Sequence, residues 1–233
     1  MSDITQSADP PVHRDVPTVE ALRQEFLGLI EDPETDLVVN FARLFLSRAP
    51  DELLRQRATP ALARLALGVY RFLGESRPDR VDVSVTNPDA ELDGSDDAVT
   101  VIRTNVSERP FIIDSIRGYM SQEGLSIERM IYPLLDVERD TSGRPRAIRP
   151  PSDGGSKESI VHCEVARIEG AERLEKIARE LTDRLQDVVR VTDDFRPMLD
   201  SVEVVIGRLE HDAAQLPDRR EELEEIQHFL RWL

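Results

Sequence analysis

Apolar residues in the first third of the chain recur at helical spacing. Thr18 can cap a helix carrying Leu22, Phe26, Leu29 and Ile30 on one face, with Pro33 as its stop. From Thr35, the residues Leu37, Val38, Phe41, Leu44 and Phe45 make a second stripe. Asp51 caps a short helix ending near Arg57. Thr59-Pro60 then opens a longer helix through Leu62, Leu65, Ala66, Val69, Phe72 and Leu73, closed by Gly74 and Pro78. Residues 16–78 therefore read as a helical region. Residues 1–15, with Pro10 and Pro11 and almost no apolar periodicity, read as a disordered tail.

From Arg80 the period drops to two. Val81, Val83 and Val85 alternate with Asp82, Ser84 and Thr86, which predicts a strand with one wet face. Asn87-Pro88 and Gly94-Ser95 mark a turn before a second strand, Ala98 to Thr104. After Pro110 a helix places Phe111, Ile112, Ser115, Ile116, Tyr119 and Met120 on one face and ends at Gly124. Leu125 to Val137 reads as a third strand containing Pro133. Residues 140–157, with three prolines and three glycines, read as an exposed, disordered loop. Glu158 to Arg167 is a fourth strand, and Gly170 opens a long helix with Leu174, Ile177, Ala178, Leu181, Leu185 and Val188 in register.

The order strand, strand, helix, strand, strand, helix predicts an α+β protein. Its ferredoxin-like antiparallel sheet over residues 79–190 would carry two helices on one face, followed by C-terminal helices over 191–233. Arg80 to Thr86 fits one edge, in a hairpin with the second strand. Leu125 to Val137 fits the other edge, where Pro133 is tolerated because it owes the ladder no N–H.

Charge narrows the partners. The 233 residues include 30 basic and 46 acidic side chains, a net of −16. Such a surface repels phosphate, and no run of Lys or Arg makes a local basic patch, so neither nucleic acid nor an anionic membrane is an expected partner. Acidity with scarce lysine is also what a high-salt host would favour. Only Lys157 and Lys176 are lysines, which leaves 28 arginines, so any lysine-dependent chemistry must use one of those two. Cys163 stands alone, which excludes an intrachain disulfide and a multi-cysteine zinc site. No apolar run approaches the ~20 residues of a membrane span, and a cytoplasmic location is expected.

Four segments carry a family resemblance: Asn105-Val-Ser-Glu-Arg-Pro-Phe-Ile-Ile-Asp-Ser-Ile116, Ile131-Tyr-Pro-Leu-Leu-Asp136 followed by Arg139-Asp140, Glu158-Ser-Ile-Val-His-Cys-Glu-Val165, and Phe229-Leu-Arg-Trp-Leu233. From about Val19 to Leu233 the chain resembles the N-terminal region of the large NAD-specific bacterial glutamate dehydrogenases. The resemblance implies an ACT-like regulatory module over about Asp97 to Val188. It also implies a parent enzyme with a downstream catalytic domain that uses NAD, and a homo-oligomer. ACT modules that bind amino acids usually place glycine directly after the proline of the loop between first strand and first helix. Here Phe111 stands there, which puts an amino-acid site of the usual kind in doubt.

The residues themselves offer little catalytic chemistry. No G-x-G-x-x-G, P-loop or H-E-x-x-H occurs, so no cofactor is expected in this chain and no residue is assigned as catalytic. His13, His211 and His228 are scattered and give no metal spacing. His162 and Cys163 are neighbours on a strand and project to opposite faces, which rules out a local dyad. Cys163 reads as core, and His162 as a polar residue on a face left exposed or covered by a partner. Asp114 either complements the helix dipole or joins Asn105, Ser107, Glu108 and Arg109 in a regulatory contact with an amino-acid effector. At the C-terminus, Phe229, Trp232 and Leu233 form a bulky apolar cluster that either folds back on the core or meets another subunit or downstream domains of the same polypeptide. The favoured reading is a non-catalytic regulatory or assembly portion of such an enzyme. The alternatives are a free-standing ACT-like amino-acid sensor and a protein-interaction module.

Overall fold

Thr18 begins the first helix, α1 (Val19–Phe26), by accepting the Ala21 N–H on its hydroxyl at 3.2 Å. Gly28 at φ 86° turns the chain after Phe26, so Leu29 and Ile30 fall outside the helix. Pro33 opens the next helix instead of stopping this one, at a position where its missing N–H has no partner to lose. Then come α2 (Asp32–Leu46), α3 (Asp51–Gln56) and α4 (Thr59–Glu75). The computed structural model describes residues 16–30, 32–77, 79–89, 98–215 and 217–232. The expected tail, most of the turn around Gly94-Ser95, and Leu233 lie outside them.

Six strands follow in one antiparallel sheet: β1 (Asp82–Thr86), β2 (Val99–Ser107), β3 (Ile127–Ile131), β4 (Leu134–Arg139), β5 (Pro145–Arg149) and β6 (Lys157–Ala166). Helix α5 (Ile112–Gln122) joins β2 to β3, and α6 (Ala171–Gln215) follows β6. The sheet order is β1-β2-β6-β4-β5, with β3 also paired to β6. The hairpin of β1 with β2, and the central pairing of β2 with β6, are those expected from the pattern.

Two expectations are corrected. The stretch Leu125 to Val137 is two strands, because Tyr132 and Pro133 interrupt it: β3 pairs with β6 up to Ile131↔His162, and β4 resumes at Leu134↔Ser159. Residues 140–157 are not one loop, since β5 pairs with β4 outside it. Asp140 sets that turn by accepting the N–H groups of Ser142 at 2.8 Å and Arg144 at 2.9 Å. A Gly/Pro-rich composition hid a hairpin whose turn chemistry is supplied by one aspartate.

A further correction concerns the sheet's faces. Val161, Cys163 and Val165 of β6 share one face with Ile102 and Thr104 of β2, on the side where α5 and α6 bury Ile112, Ile116, Met120, Ile177, Leu181 and Leu185. The opposite face is not left for a partner. One continuous cluster joins Phe26, Phe41, Phe45, Leu62, Leu65 and Leu73 of the N-terminal helices to Ile131, Leu135, Val137, Ile148 and Ile160 of the sheet. Each such side chain contributes about 1.5–3 kcal/mol on burial, enough to hold the helices as a second layer. Helices therefore cover both faces, and the helical region and the sheet fall in one compact unit ending at Gln186.

A second unit runs from Asp187. It holds the rest of α6, a short 3₁₀ turn (Pro217–Arg219) and α7 (Arg220–Trp232). Ile206, Leu223 and Gln227 are its buried residues among those described, and Arg231 donates to Glu210, so α7 doubles back along α6.

Candidate functional site

The loop between β2 and α5 carries most of the expected ligand residues. Where β2 ends, the Glu108 N–H donates to the Lys157 carbonyl at 2.9 Å, and Arg109 Nη1 donates to the Glu108 carbonyl at 2.9 Å. Lys157 Nζ lies 3.6 Å from the Glu108 carboxylate. Phe111 then takes φ 70°, ψ 3°, the left-handed conformation, and its carbonyl accepts the first helical N–H, from Ser115, at 2.9 Å. Phe111 is the single non-glycine residue at positive φ among those described. For a bulky L-residue this conformation costs about 1–2 kcal/mol. The backbone geometry usually given to glycine is therefore kept, with a phenyl ring on it that is 67 % exposed. Phe111→Gly is accordingly expected to raise the unfolding free energy by up to about 1 kcal/mol, read from the urea midpoint at constant slope, because the strain removed exceeds the freedom glycine adds to the unfolded chain and almost no core is uncovered.

Two depressions flank the loop. One, of about 540 Å³, is lined by Arg48 at the end of α2, Glu108, Arg109, Phe111, Asp114 and Tyr132. The other, of about 310 Å³, is lined by Ser107, Arg109, Gly154, Gly155 and Lys157. Phe111 supplies no side-chain cap to α5, so the first N–H groups of that helix face the loop without one. Asp114 sits in the first turn, as expected of a dipole-complementing carboxylate.

Asn105 does not join this group. It is buried on the sheet face under the N-terminal helices, where its Nδ2 donates to Glu158 at 2.6 Å. Ser107 reaches only the smaller depression. Pattern reading missed Arg48 and Tyr132, which arrive from distant parts of the chain; the Tyr132-Pro133 break was their one local trace.

His162 is fully buried, with the Phe45 ring edge-on at 6.2 Å between centroids. An exposed or partner-covered His162 is thus corrected: the chain's own helices cover it. It belongs to an ionic cluster centred on Glu164, whose carboxylate meets Arg57 at 2.8 Å, Arg129 at 3.2 Å and His162 Nε2 at 3.2 Å. Burial pushes the Glu164 carboxyl up, but the His162 hydrogen bond and the Arg57 guanidinium outweigh it and hold it at about 2. Burial pushes His162 down from its ordinary value, against the pull of Glu164, so the ring is neutral at pH 7 and donates through Nε2. Cys163, on the other face, has its thiol pushed up to about 12 by burial and is no nucleophile. Phe229 and Trp232 are 57 % and 81 % exposed, with ring centroids 6.4 Å apart.

A dinucleotide does not fit these residues. The strand-to-helix turn at β2–α5 holds Pro110 and Phe111 where a pyrophosphate needs glycine, and the sheet is antiparallel, without the crevice at the ends of parallel strands. Both lysines are held in ion pairs, Lys157 with Glu108 and Lys176 with Glu123 and Glu180.

Residues 41–181, more than half of the chain, match the family model described as glutamate dehydrogenase, ACT1 domain. The chain belongs to that family. The match starts inside α2 and ends inside α6, so the ACT1 region takes in both helical layers as well as the sheet. An NAD-specific glutamate dehydrogenase of Halomonas elongata is 28 % identical over 218 residues, covering 92 % of this chain and 14 % of that protein. One of Pseudomonas aeruginosa is 29 % identical over 199 residues, covering 84 % of this chain and 12 % of that protein. This ACT1 chain therefore spans a small fraction of the length of the curated relatives it matches. No solved structure matches it.

Proposed function

We propose that the chain is a non-catalytic regulatory portion of a larger NAD-dependent glutamate dehydrogenase, and that the β2–α5 loop takes an amino-acid effector. The whole enzyme would convert glutamate, NAD and water to 2-oxoglutarate, ammonia and NADH, with NAD held outside this chain. The observation that carries the regulatory reading is the left-handed backbone at Phe111. That conformation is maintained against the preference of its own residue, and strain of this kind persists where the surrounding structure demands it. Around it, Arg48 and Arg109 offer donors suited to a carboxylate, and Glu108 and Asp114 offer acceptors suited to an ammonium group. The two charge types of an amino acid are thus matched within one groove. The paired lysines and the misfit to a dinucleotide support the non-catalytic part.

Calorimetric titration of the chain with the common amino acids tests the reading. At least one is expected to bind, with affinity falling about tenfold or more in Arg109→Ala and in Asp114→Ala, each the loss of one charge-assisted hydrogen bond. Absence of binding by every amino acid, or binding that neither substitution weakens, overturns it. Glutamate-dependent NADH formation by the chain alone would overturn the non-catalytic assignment.

A further inference from the structure

The helical hairpin beyond Asp187 has two apolar seams where its own packing needs one. On α6, the positions Thr192, Leu199 and Ile206 recur at heptad spacing and are buried or half-buried. On α7, Leu223, Gln227 and Leu230 make the facing seam. The residue just before several of these positions is apolar and exposed: Val191, Met198 and Val205 on α6, Ile226 and Phe229 on α7. Each is displaced from its seam by the same rotation. In an antiparallel pair of right-handed helices, equal displacements emerge on the same side. The two rows therefore form one apolar strip along one side of the hairpin, of the kind that soluble surfaces seldom leave uncovered.

Charge selects what covers it. Residues 187–233 contain twelve carboxylates and six arginines. Asp187, Asp194 and Asp212 on α6 and Glu222 and Glu225 on α7 fall beside the strip by the same helical geometry, as does Arg208; Asp187 and Glu222 are paired with Arg190 and Arg219, and the balance beside the strip stays acidic. A second copy of the hairpin would bring this acidic frame against itself, and the chain as a whole carries a net charge of −16. We propose that the strip is a docking surface for an amphipathic helix whose apolar seam is flanked by lysine or arginine. Lying along the valley between α6 and α7, such a helix turns the hairpin into a three-helix bundle. The basic flanks pair with the acidic frame and set partner choice, as residues beside a coiled-coil seam do. The inference rests on the hairpin alone and is independent of the effector site.

Trp232, the chain's one tryptophan, lies beside Phe229 with the rings tilted 31° and reports on the strip. The probe is a four-heptad synthetic peptide with leucine at the seam and lysine at the flanks, titrated into the full chain while Trp232 emission is followed. A matched peptide with glutamate at the flanks is run beside it. The expected result is a saturable blue shift with the lysine peptide and none with the glutamate peptide. Met198→Asp and Ile226→Asp, both at exposed sites, should leave the thermal midpoint unchanged and weaken binding about tenfold or more. Three outcomes overturn the proposal: no binding of the lysine peptide, equal binding of both peptides or by the two variants, or a free chain that sediments as a dimer which Met198→Asp converts to a monomer.

Discussion

Glu164→Gln is expected to destabilise the fold by about 3–5 kcal/mol, because it leaves the buried Arg57 guanidinium without its counter-charge. Arg57 follows the C-terminal end of α3 and Glu164 lies on β6, so the pair ties the N-terminal helical layer to the centre of the sheet. A double variant, Arg57→Met with Glu164→Leu, should recover part of the loss, since removing both charges removes the desolvation cost as well. The recovery will be incomplete, because Arg129 and His162 also bond Glu164. Urea midpoints at constant slope measure both effects.

The same residue makes the fold acid-sensitive in a defined window. The folded Glu164 carboxyl sits at about 2 against an ordinary 4.5, so its contribution is complete above pH 4.5 and is lost as pH falls toward 2. By linkage that contribution is roughly 3 kcal/mol. His162 acts in the same direction at higher pH. Its folded value lies below the ordinary 6.5, so from pH 6.5 downward the unfolded chain gains a proton that the buried ring resists. Stability should therefore fall monotonically from pH 7 to pH 3. In Glu164→Gln the part of that fall below pH 4.5 should shrink. An unchanged pH profile in this variant would remove Glu164 as the cause.

Arg139→Met is the second substitution with a large expected effect, again about 3–5 kcal/mol. Arg139 grips the buried Glu158 carboxylate through two bonds, at 2.8 and 2.7 Å, and donates to the carbonyls of Leu73, Ser76 and Gly143. One guanidinium thereby joins the end of α4, the β4–β5 turn and the start of β6. Removing it leaves Glu158 held by Asn105 and takes a donor from each of three carbonyls, of which Ser76 keeps Arg77. Arg139→Lys should recover only part of the stability, because an ammonium group cannot reproduce the planar fork. Hydrogen exchange should locate the damage: the amides of residues 74–77 and 140–144 are expected to exchange faster in Arg139→Lys, with α5 unchanged. Uniform acceleration across the sheet would mean that Arg139 is not a local clamp.

Much of this architecture was legible as pattern. Alternation of apolar and polar residues marked β1 and β6, Val and Ile content marked β2, and helical spacing marked α4, α5 and the start of α6, because each of those elements carries an apolar face that its own sequence must supply. The hairpin of β4 and β5 was hidden, since its turn is built by Asp140 and its strands are short and rich in arginine and proline. The polar row Glu158, His162 and Glu164 on β6 was visible as alternation but suggested an outward face. It lies inward because arginines from α3, β3 and β4 arrive to neutralise it. The candidate site was half legible: Glu108, Arg109 and Asp114 lie close together in sequence, whereas Arg48 and Tyr132 reach the groove from elsewhere, and Asn105 leaves it because strand alternation turns it to the other face.

Residue order alone therefore determined the strand and helix types, the central pairing of the sheet and the resemblance to the glutamate dehydrogenase ACT1 family, all of which depend on local periodicity and contiguous motifs. Only the tertiary structure decided that a second helical layer covers the sheet, that Phe111 holds a left-handed backbone, and that the two apolar rows of the hairpin emerge on one side. Each of these depends on residues far apart in the chain meeting in space. A one-dimensional pattern records which residues are apolar or charged, but the burial and pairing of a charge are settled by partners that arrive from other elements.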